Sequence, residues 1–379
     1  MPSVFSSTYS YIMFKDRLQN AQNLMLESNI DAMLLSVGAD LPYFTGYEAM
    51  PLERLTMLVL QTGEQPVLII PELEAPRVTK MPDLFKIHPW RETEDPIHIV
   101  VNLLRGTETV AVGDTTWSRF TIDILNYLPD LQLSKASILT SQLRAVKSED
   151  ELLRLQQASS AVDRIAARLQ SGEIDLVGQT EKQISDEIGR QIILEGHSKV
   201  NFAIVAAGEN AASPHHEPGE RVVHESEVVL CDFGGTMIGK DGVGYCSDIT
   251  RCVWTGDPPQ EFQEMYQILQ DAQAKQVQLC QEGVPAEEVD RAGREIITQG
   301  GYGKYFIHRT GHGIGVEAHE EPYIVEGNGV PLQIGNVFSI EPGIYIPNKW
   351  GARLEDIVAV TNDGPISLNA ANHDLALIR

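Results

Sequence analysis

Cysteine is scarce in this 379-residue chain: Cys231, Cys246, Cys252 and Cys280 are all there is, with no C-x-x-C pair among them. That argues against a disulfide frame and against thiolate zinc, and the four read as reduced core thiols. Basic residues are also few, 29 Lys plus Arg against 53 Asp plus Glu, for a net charge of -24. Such a balance repels a phosphate backbone and an anionic membrane surface, so neither nucleic acid nor membrane is an expected partner, and the acidity itself reads as solubility. No apolar run is long enough to span a bilayer, and Met1 to Arg17 lack a basic start followed by an apolar stretch. Cytoplasm is the expected compartment. Short-period repeats and low-complexity segments are missing too, which excludes solenoids and long disordered regions.

What remains is globular: 42% hydrophobic and 22% charged residues in a chain long enough for two cores of unequal size. Phe14, Leu18, Ala21 and Met25 recur at helical spacing, while Ala32 to Val37, Leu55 to Leu60, Val67 to Ile70 and Thr109 to Val112 read as strands. With a helix over Phe120 to Leu128, this forms an α/β N-terminal unit. Ser148 and Glu151 then match a capping box, and Leu152, Leu155, Val162, Ile165 and Leu169 mark one helical face. The boundary is therefore placed between a domain of residues 1–145 and one of 146–379. Further helices are expected over Glu181 to Glu195, Glu261 to Gln281 and Pro285 to Gln299, with strands between and after them.

The chemistry concentrates in two expected hairpins. Val228 to Trp254 reads as strand, turn, strand around Gly239-Lys240-Asp241-Gly242; the midpoint of Asp232 and Asp248 is position 240, which places the two acids nearly opposite one another. Val337 to Val360 repeats the design, with Glu341 and Glu355 symmetric about position 348. Opposed like charges destabilise a sheet, and cross-strand neighbours about 5 Å apart suit a bridged pair of cations. Between the hairpins, His312 lies in His308-Arg309-Thr310-Gly311-His312-Gly313-Ile314-Gly315, where the glycines argue against a helix and no capped helix follows to make a dinucleotide loop. Taken singly, each residue reads as a cap or a structural hydrogen bonder; taken together they ask for metal.

These strings resemble the pita-bread metallopeptidases: methionine aminopeptidase, aminopeptidase P and prolidase. The resemblance rests on Cys231-Asp232-Phe233-Gly234-Gly235, Ser247-Asp248-Ile249-Thr250-Arg251, the His308 to Gly315 string, Ser339-Ile340-Glu341-Pro342-Gly343-Ile344-Tyr345 and Arg353-Leu354-Glu355-Asp356. Tyr43-Phe44-Thr45-Gly46 is similar to the smaller N-terminal domain of the prolidase and aminopeptidase P branch. The implied fold is α/β, a pita-bread catalytic domain preceded by a smaller α/β domain of the creatinase/prolidase type. The resemblance implies that Asp232 chelates one divalent ion, that Asp248 and Glu355 bridge both, and that His312 and Glu341 hold the second. It adds His215, after Pro214, and His319. One departure is visible: the two aspartates are usually closer in sequence, and here they are 16 positions apart, so their hairpin carries an insertion.

The implied activity is hydrolysis of the bond before proline, with metal-activated water as nucleophile, His215 stabilising the oxyanion and Glu341 moving the proton. Manganese suits an oxygen-rich site with one imidazole; cobalt, iron or zinc are the alternatives. Arg353, two residues before Glu355 and so on its strand face, is expected to grip the C-terminal carboxylate of a dipeptide, or else to orient Glu355 or Asp248. That favours an Xaa-Pro dipeptidase over aminopeptidase P. A creatine-cleaving relative and a non-catalytic binding module are both disfavoured by retention of the whole ligand set. Relatives imply a homodimer.

Overall fold

A computed structural model describes residues 7–378; part of the leader-sequence reading, at residues 1–6, lies outside the described residues. The chain divides into two compact units: residues up to Leu143 with Ile238–Gly244, and Arg144–Met237 with the chain from Tyr245 onward.

The N-terminal unit runs α1 (Ser7–Glu27), β1 (Ala32–Leu35), α2 (Asp40–Thr45), β2 (Met57–Gln61), β3 (Val67–Pro71), β4 (Lys86–Trp90), α3 (Pro96–Leu103), β5 (Thr109–Val112), α4 (Ser118–Tyr127), β6 (Gln132–Lys135) and α5 (Ser137–Ala145). Its six-stranded sheet has the order β4-β3-β2-β1-β5-β6. Alternate residues Ala32, Leu34, Met57, Val59 and Ile69 pack on Ile97, Val100, Phe120 and Ile124, the period-2 burial of a sheet beneath helices. The expected strands appear; β4 and β6 were not foreseen. Both are edge strands, and every residue of β6 is exposed, so neither carries an apolar alternation to read.

The second unit opens with α6 (Glu149–Gln170), where the Ser148–Glu151 capping box is present as expected. It continues through α7 (Glu181–Leu194), β7 (Lys199–Ala207), β8 (Val228–Ile238), β9 (Gly244–Cys246), β10 (Ile249–Thr255), α8 (Gln260–Leu279) and α9 (Ala286–Gln299). The remaining strands are β11 (Gly311–Gly313), β12 (Glu320–Ile324), β13 (Val337–Ile340), β14 (Gly343–Ile346), β15 (Trp350–Arg353), β16 (Asp356–Thr361), β17 (Gly364–Ser367) and β18 (Ala376–Ile378). One sheet is ordered β18-β10-β8-β7 with β9 on β8, a second β12-β11-β13-β16-β17, and β14-β15 form a ribbon.

Along β8, Val229, Cys231 and Phe233 point to the core beneath α6 and α7. Val228 and Leu230 point the other way, into a core shared with Phe262, Met265 and Leu269 of α8. Asp232 follows Leu230 by two and so belongs to this second face. The two sheets are joined where Thr250 and Glu355 form a bridge. All four cysteines are buried and unpaired. No described helix is long and apolar enough to cross a membrane.

Candidate metal centre

On the first hairpin the structure corrects the sequence reading by one position. Gly239 donates to the carbonyl of Val243 and Gly242 to that of Gly239, which centres the turn on Asp241 rather than Lys240. In the resulting register Asp232 faces Thr250. Asp248, two residues earlier, is therefore the diagonal neighbour of Asp232 on the same face, not its direct opposite.

The second hairpin closes as read. β14 and β15 pair Gly343 with Arg353, β13 and β16 pair Ile340 with Asp356, and both registers are symmetric about Asn348, which takes the left-handed φ of 58° at the tip. Glu341 and Glu355 occupy the gap between the two strand pairs, where Pro342 has no N–H for the ladder. Glu355 is instead tied to the other sheet: its N–H donates to the Thr250 carbonyl at 3.3 Å and its Oε2 accepts from Thr250 Oγ1 at 2.6 Å.

His312 enters on β11, where a side chain on Gly311 would run into the Ser339 carbonyl; only glycine lets the strands approach this closely. The His312 Nδ1 lies 3.1 Å from the Gly313 carbonyl, which points Nε2 at the acids: 3.2 Å from Glu341 Oε1 and 4.0 Å from Asp248 Oδ2. One ligand atom each of Asp248, His312 and Glu355 lies within 4.8 Å of the others, and all three residues are buried. The His319 ring lies against His312, centroids 3.8 Å apart. His215 is exposed on the loop after β7, beside Pro214, whose carbonyl accepts from Arg353 Nη1 at 3.4 Å. The five expected ligands and His319 thus converge on one place, with the His215 loop at its edge.

Electrostatics test whether a cation fits. Burial, with the charges of Glu355, Asp232 and Glu341, pushes the Asp248 carboxyl well above its usual range; Glu355 is driven the same way by burial and by Glu341 and Asp232. Asp232 is raised by burial despite Arg353. Against the same burial, the hydrogen bond and charge of His312 draw Glu341 down to about 2. Asp232 Oδ1 and Asp248 Oδ1 are buried with no hydrogen-bond partner. Carboxylates crowded so closely, two of them with an unused buried oxygen, are costly alone and suited to divalent ions.

Arg353 does not have the freedom expected of it. It is 2% exposed, and its donors go to Asp232 Oδ2, Tyr345 Oη at 2.8 Å, Thr250 Oγ1 at 3.1 Å and the Pro214 carbonyl. Four of the five N–H groups of a guanidinium are thereby used. The geometry is that of a positioning residue, and its partner is Asp232 rather than Glu355 or Asp248.

Three further residues escaped the sequence reading. Tyr345 joins Arg353 to His308 Nε2, 2.9 Å from its hydroxyl. Glu181, which reads as an ordinary first-turn acid, anchors the His215 loop. Arg309, half-buried between His308 and His312, has a guanidinium with no hydrogen bond or ion pair among the described residues; it lies over the Tyr323 ring, 4.3 Å from the centroid. Burial, with the charges of His312 and then Arg309, draws the neighbouring His319 down to about 4. A basic residue inside a histidine string is the available signal for Arg309, and the place of Tyr345 at the end of the Ser339 to Tyr345 string is the signal for it; Glu181 has none.

Residues 154–362 match the model of metallopeptidase family M24, and residues 17–146 match the creatinase/prolidase N-terminal domain. The chain is 38% identical over 370 residues to a probable dipeptidase PepE of Mycobacterium tuberculosis, covering 97% of each chain. Among solved structures it is similar to dipeptidase PepE from Mycobacterium ulcerans, with a TM-score of 0.90, 38% identity and coverage of 97% and 98%. A prolidase from Thermococcus sibiricus matches with a TM-score of 0.89, 35% identity and coverage of 96% and 99%.

Proposed function

From the premise that this chain belongs to metallopeptidase family M24, and is thus a divalent-metal hydrolase with the two-domain pita-bread fold, we propose that it cleaves Xaa-Pro dipeptides with two ions at the acid cluster. The observation that carries this is the buried meeting of Asp248, His312 and Glu355 within 4.8 Å, flanked by Asp232 and Glu341. The names of the relatives, dipeptidase and prolidase, support the substrate class. Asp232 would hold one ion, Asp248 and Glu355 both, and His312 and Glu341 the second; manganese suits this donor set, with cobalt, iron or zinc as substitutes. When bound, the ions supply Lewis acidity and lower the pKa of water toward neutrality.

The chain's own groups do the rest. Glu341, its Oε1 fixed by Ser339 Oγ at 3.0 Å, carries a proton from water to the leaving proline nitrogen. His215 donates to the developing oxyanion. His319, neutral above about 4, offers peptide a hydrogen bond rather than a charge. Arg353 holds Asp232 in place. The dipeptide's C-terminal carboxylate goes to Arg309, the guanidinium of this site with its donors to spare and one face already covered by Tyr323.

The remaining parts of the reading are residues 1–145 as the N-terminal domain and 146–379 as the catalytic one, a homodimer, and a cytoplasmic setting consistent with four unpaired thiols. Kinetics with free Xaa-Pro, amidated Xaa-Pro and Xaa-Pro-Yaa test it. Free dipeptide is the expected best substrate; equal turnover of all three would replace dipeptidase with aminopeptidase P.

A further inference from the structure

Glu181, the first residue of α7, is completely buried and takes no part in the chemistry above. Its Oε1 accepts from Ala207 N and Asn210 Nδ2, both at 2.9 Å. Its Oε2 lies 2.8 Å from His216 Nε2 and accepts from Gly219 N at 3.3 Å. All four partners come from the segment Ala207–Gly219. Its own N–H donates to Arg221 O, and Lys182 N to Gly219 O, so both ends of that segment are pinned at the helix N-terminus. A carboxylate has about four lone-pair sites, and here each is used. Against burial, these bonds hold the group below its usual range, so it is ionised at neutral pH.

The other side of the segment is fixed against the acid cluster. Pro214 O accepts from Arg353, and the Ala211 carbonyl lies so close to Gly351 that a side chain there would collide with it. His215 sits between these two sets of restraints.

We propose that Glu181, acting through His216, is the positioning residue that holds His215 at the scissile carbonyl, an inference that rests on the role given to His215 above. A misplacement of about 1 Å at a reacting group costs on the order of 10²-fold in rate, which is what the four bonds guard against. His216 is then a staple of the loop and not a second acid–base group.

The test uses metal-loaded enzyme with Glu181→Gln, His216→Ala, His216→Gln and His215→Ala, alone and combined. Glu181→Gln turns one acceptor into a donor, and should lower kcat between about 10- and 10²-fold with KM and metal content unchanged. His216→Ala should behave likewise, and His216→Gln, which keeps an N–H, should recover most of the loss. The double variant His216→Ala/His215→Ala should be no slower than His215→Ala alone, because the effect passes through His215. Additive losses in the double variant, or wild-type kcat in His216→Ala, overturn the proposal. If Glu181→Gln does not fold, the two variants of the partly buried His216 carry the test. Wild-type kcat in His215→Ala would instead overturn the role of His215 itself.

Discussion

On the proposed ligand set, Arg353 and a bound divalent ion would share one task, which is to neutralise Asp232. Arg353→Met in chelated protein would leave Asp232 buried without a cation. Removing one partner of a buried ion pair costs about 3–5 kcal/mol. For a unit of this size each kcal/mol moves Tm by about 2–4 °C, so the broken ion pair alone should lower the Tm of the chelated variant by on the order of 10 °C. The bonds to Tyr345, Thr250 and Pro214, about 1 kcal/mol each, are lost in both states and add a similar fall to each. With a divalent ion bound Asp232 would have its counter-charge back, so the fall in loaded protein should be smaller than the chelated one by on the order of 10 °C. Arg353→Lys keeps the charge but not the fork and should lie between. Differential scanning calorimetry of both proteins, chelated and reloaded, gives the four Tm values needed. An equal fall in the two states would refute the reasoning, because Arg353 would then be supporting the fold and not standing beside a metal-binding carboxylate.

Asp248→Asn or Glu355→Gln should lower bound metal, read by elemental analysis, together with activity by on the order of 10²-fold or more; full metal content in either variant would remove it from the ligand set. Arg309→Met should raise KM for free Xaa-Pro at least about tenfold, the lower end for a lost charged hydrogen bond, and leave the amidated dipeptide unaffected, since that substrate never engages it; equal changes on both would assign Arg309 to loop structure. Glu320, buried with Lys147 Nζ at 2.7 Å and Arg144 Nη2 at 2.5 Å, keeps a depressed pKa because these cations overcome burial. Its stabilisation is therefore present above the unfolded value near 4.5 and is lost as pH falls through the folded one. Urea midpoints of wild type and Glu320→Gln should draw together on acidification; parallel curves would sink that account.

Much of the fold could be read locally. The helix over Glu149–Gln170 announced itself through its capping box and apolar face, and the second acidic hairpin through its symmetry about Asn348. The first hairpin was misread by one position because a midpoint argument cannot know how a glycine turn closes. β7 escaped because four of its nine residues are only half-buried, which blurs the alternation. The site was legible in its ligands and opaque in their supports. Asp, Glu and His beside glycines and turns carry a recognisable pattern, whereas Arg353 meets Asp232 across 121 residues and Glu181 meets His216 across 35. No local pattern encodes such pairings. For Arg353 the side-chain period gave the correct face, but not that other protein groups had already claimed the guanidinium.

The bridge between Thr250 and Glu355 has a consequence for how the protein reaches its folded state. Thr250 Oγ1 and Glu355 Oε2 are 105 positions apart in the chain, and Arg251, which donates to the Glu355 carbonyl, also reaches the carbonyls of Ala371 and Asn372. Contacts of such separation require the loop-closure entropy of long segments before they return any stabilisation. In this case the approach also drives four carboxylates together. Topology and charge both oppose assembly of the acid cluster, and the charge part is offset by Arg353 and would be offset further by a cation. A divalent ion present during refolding would therefore be expected to speed assembly of the cluster as well as to stabilise its product.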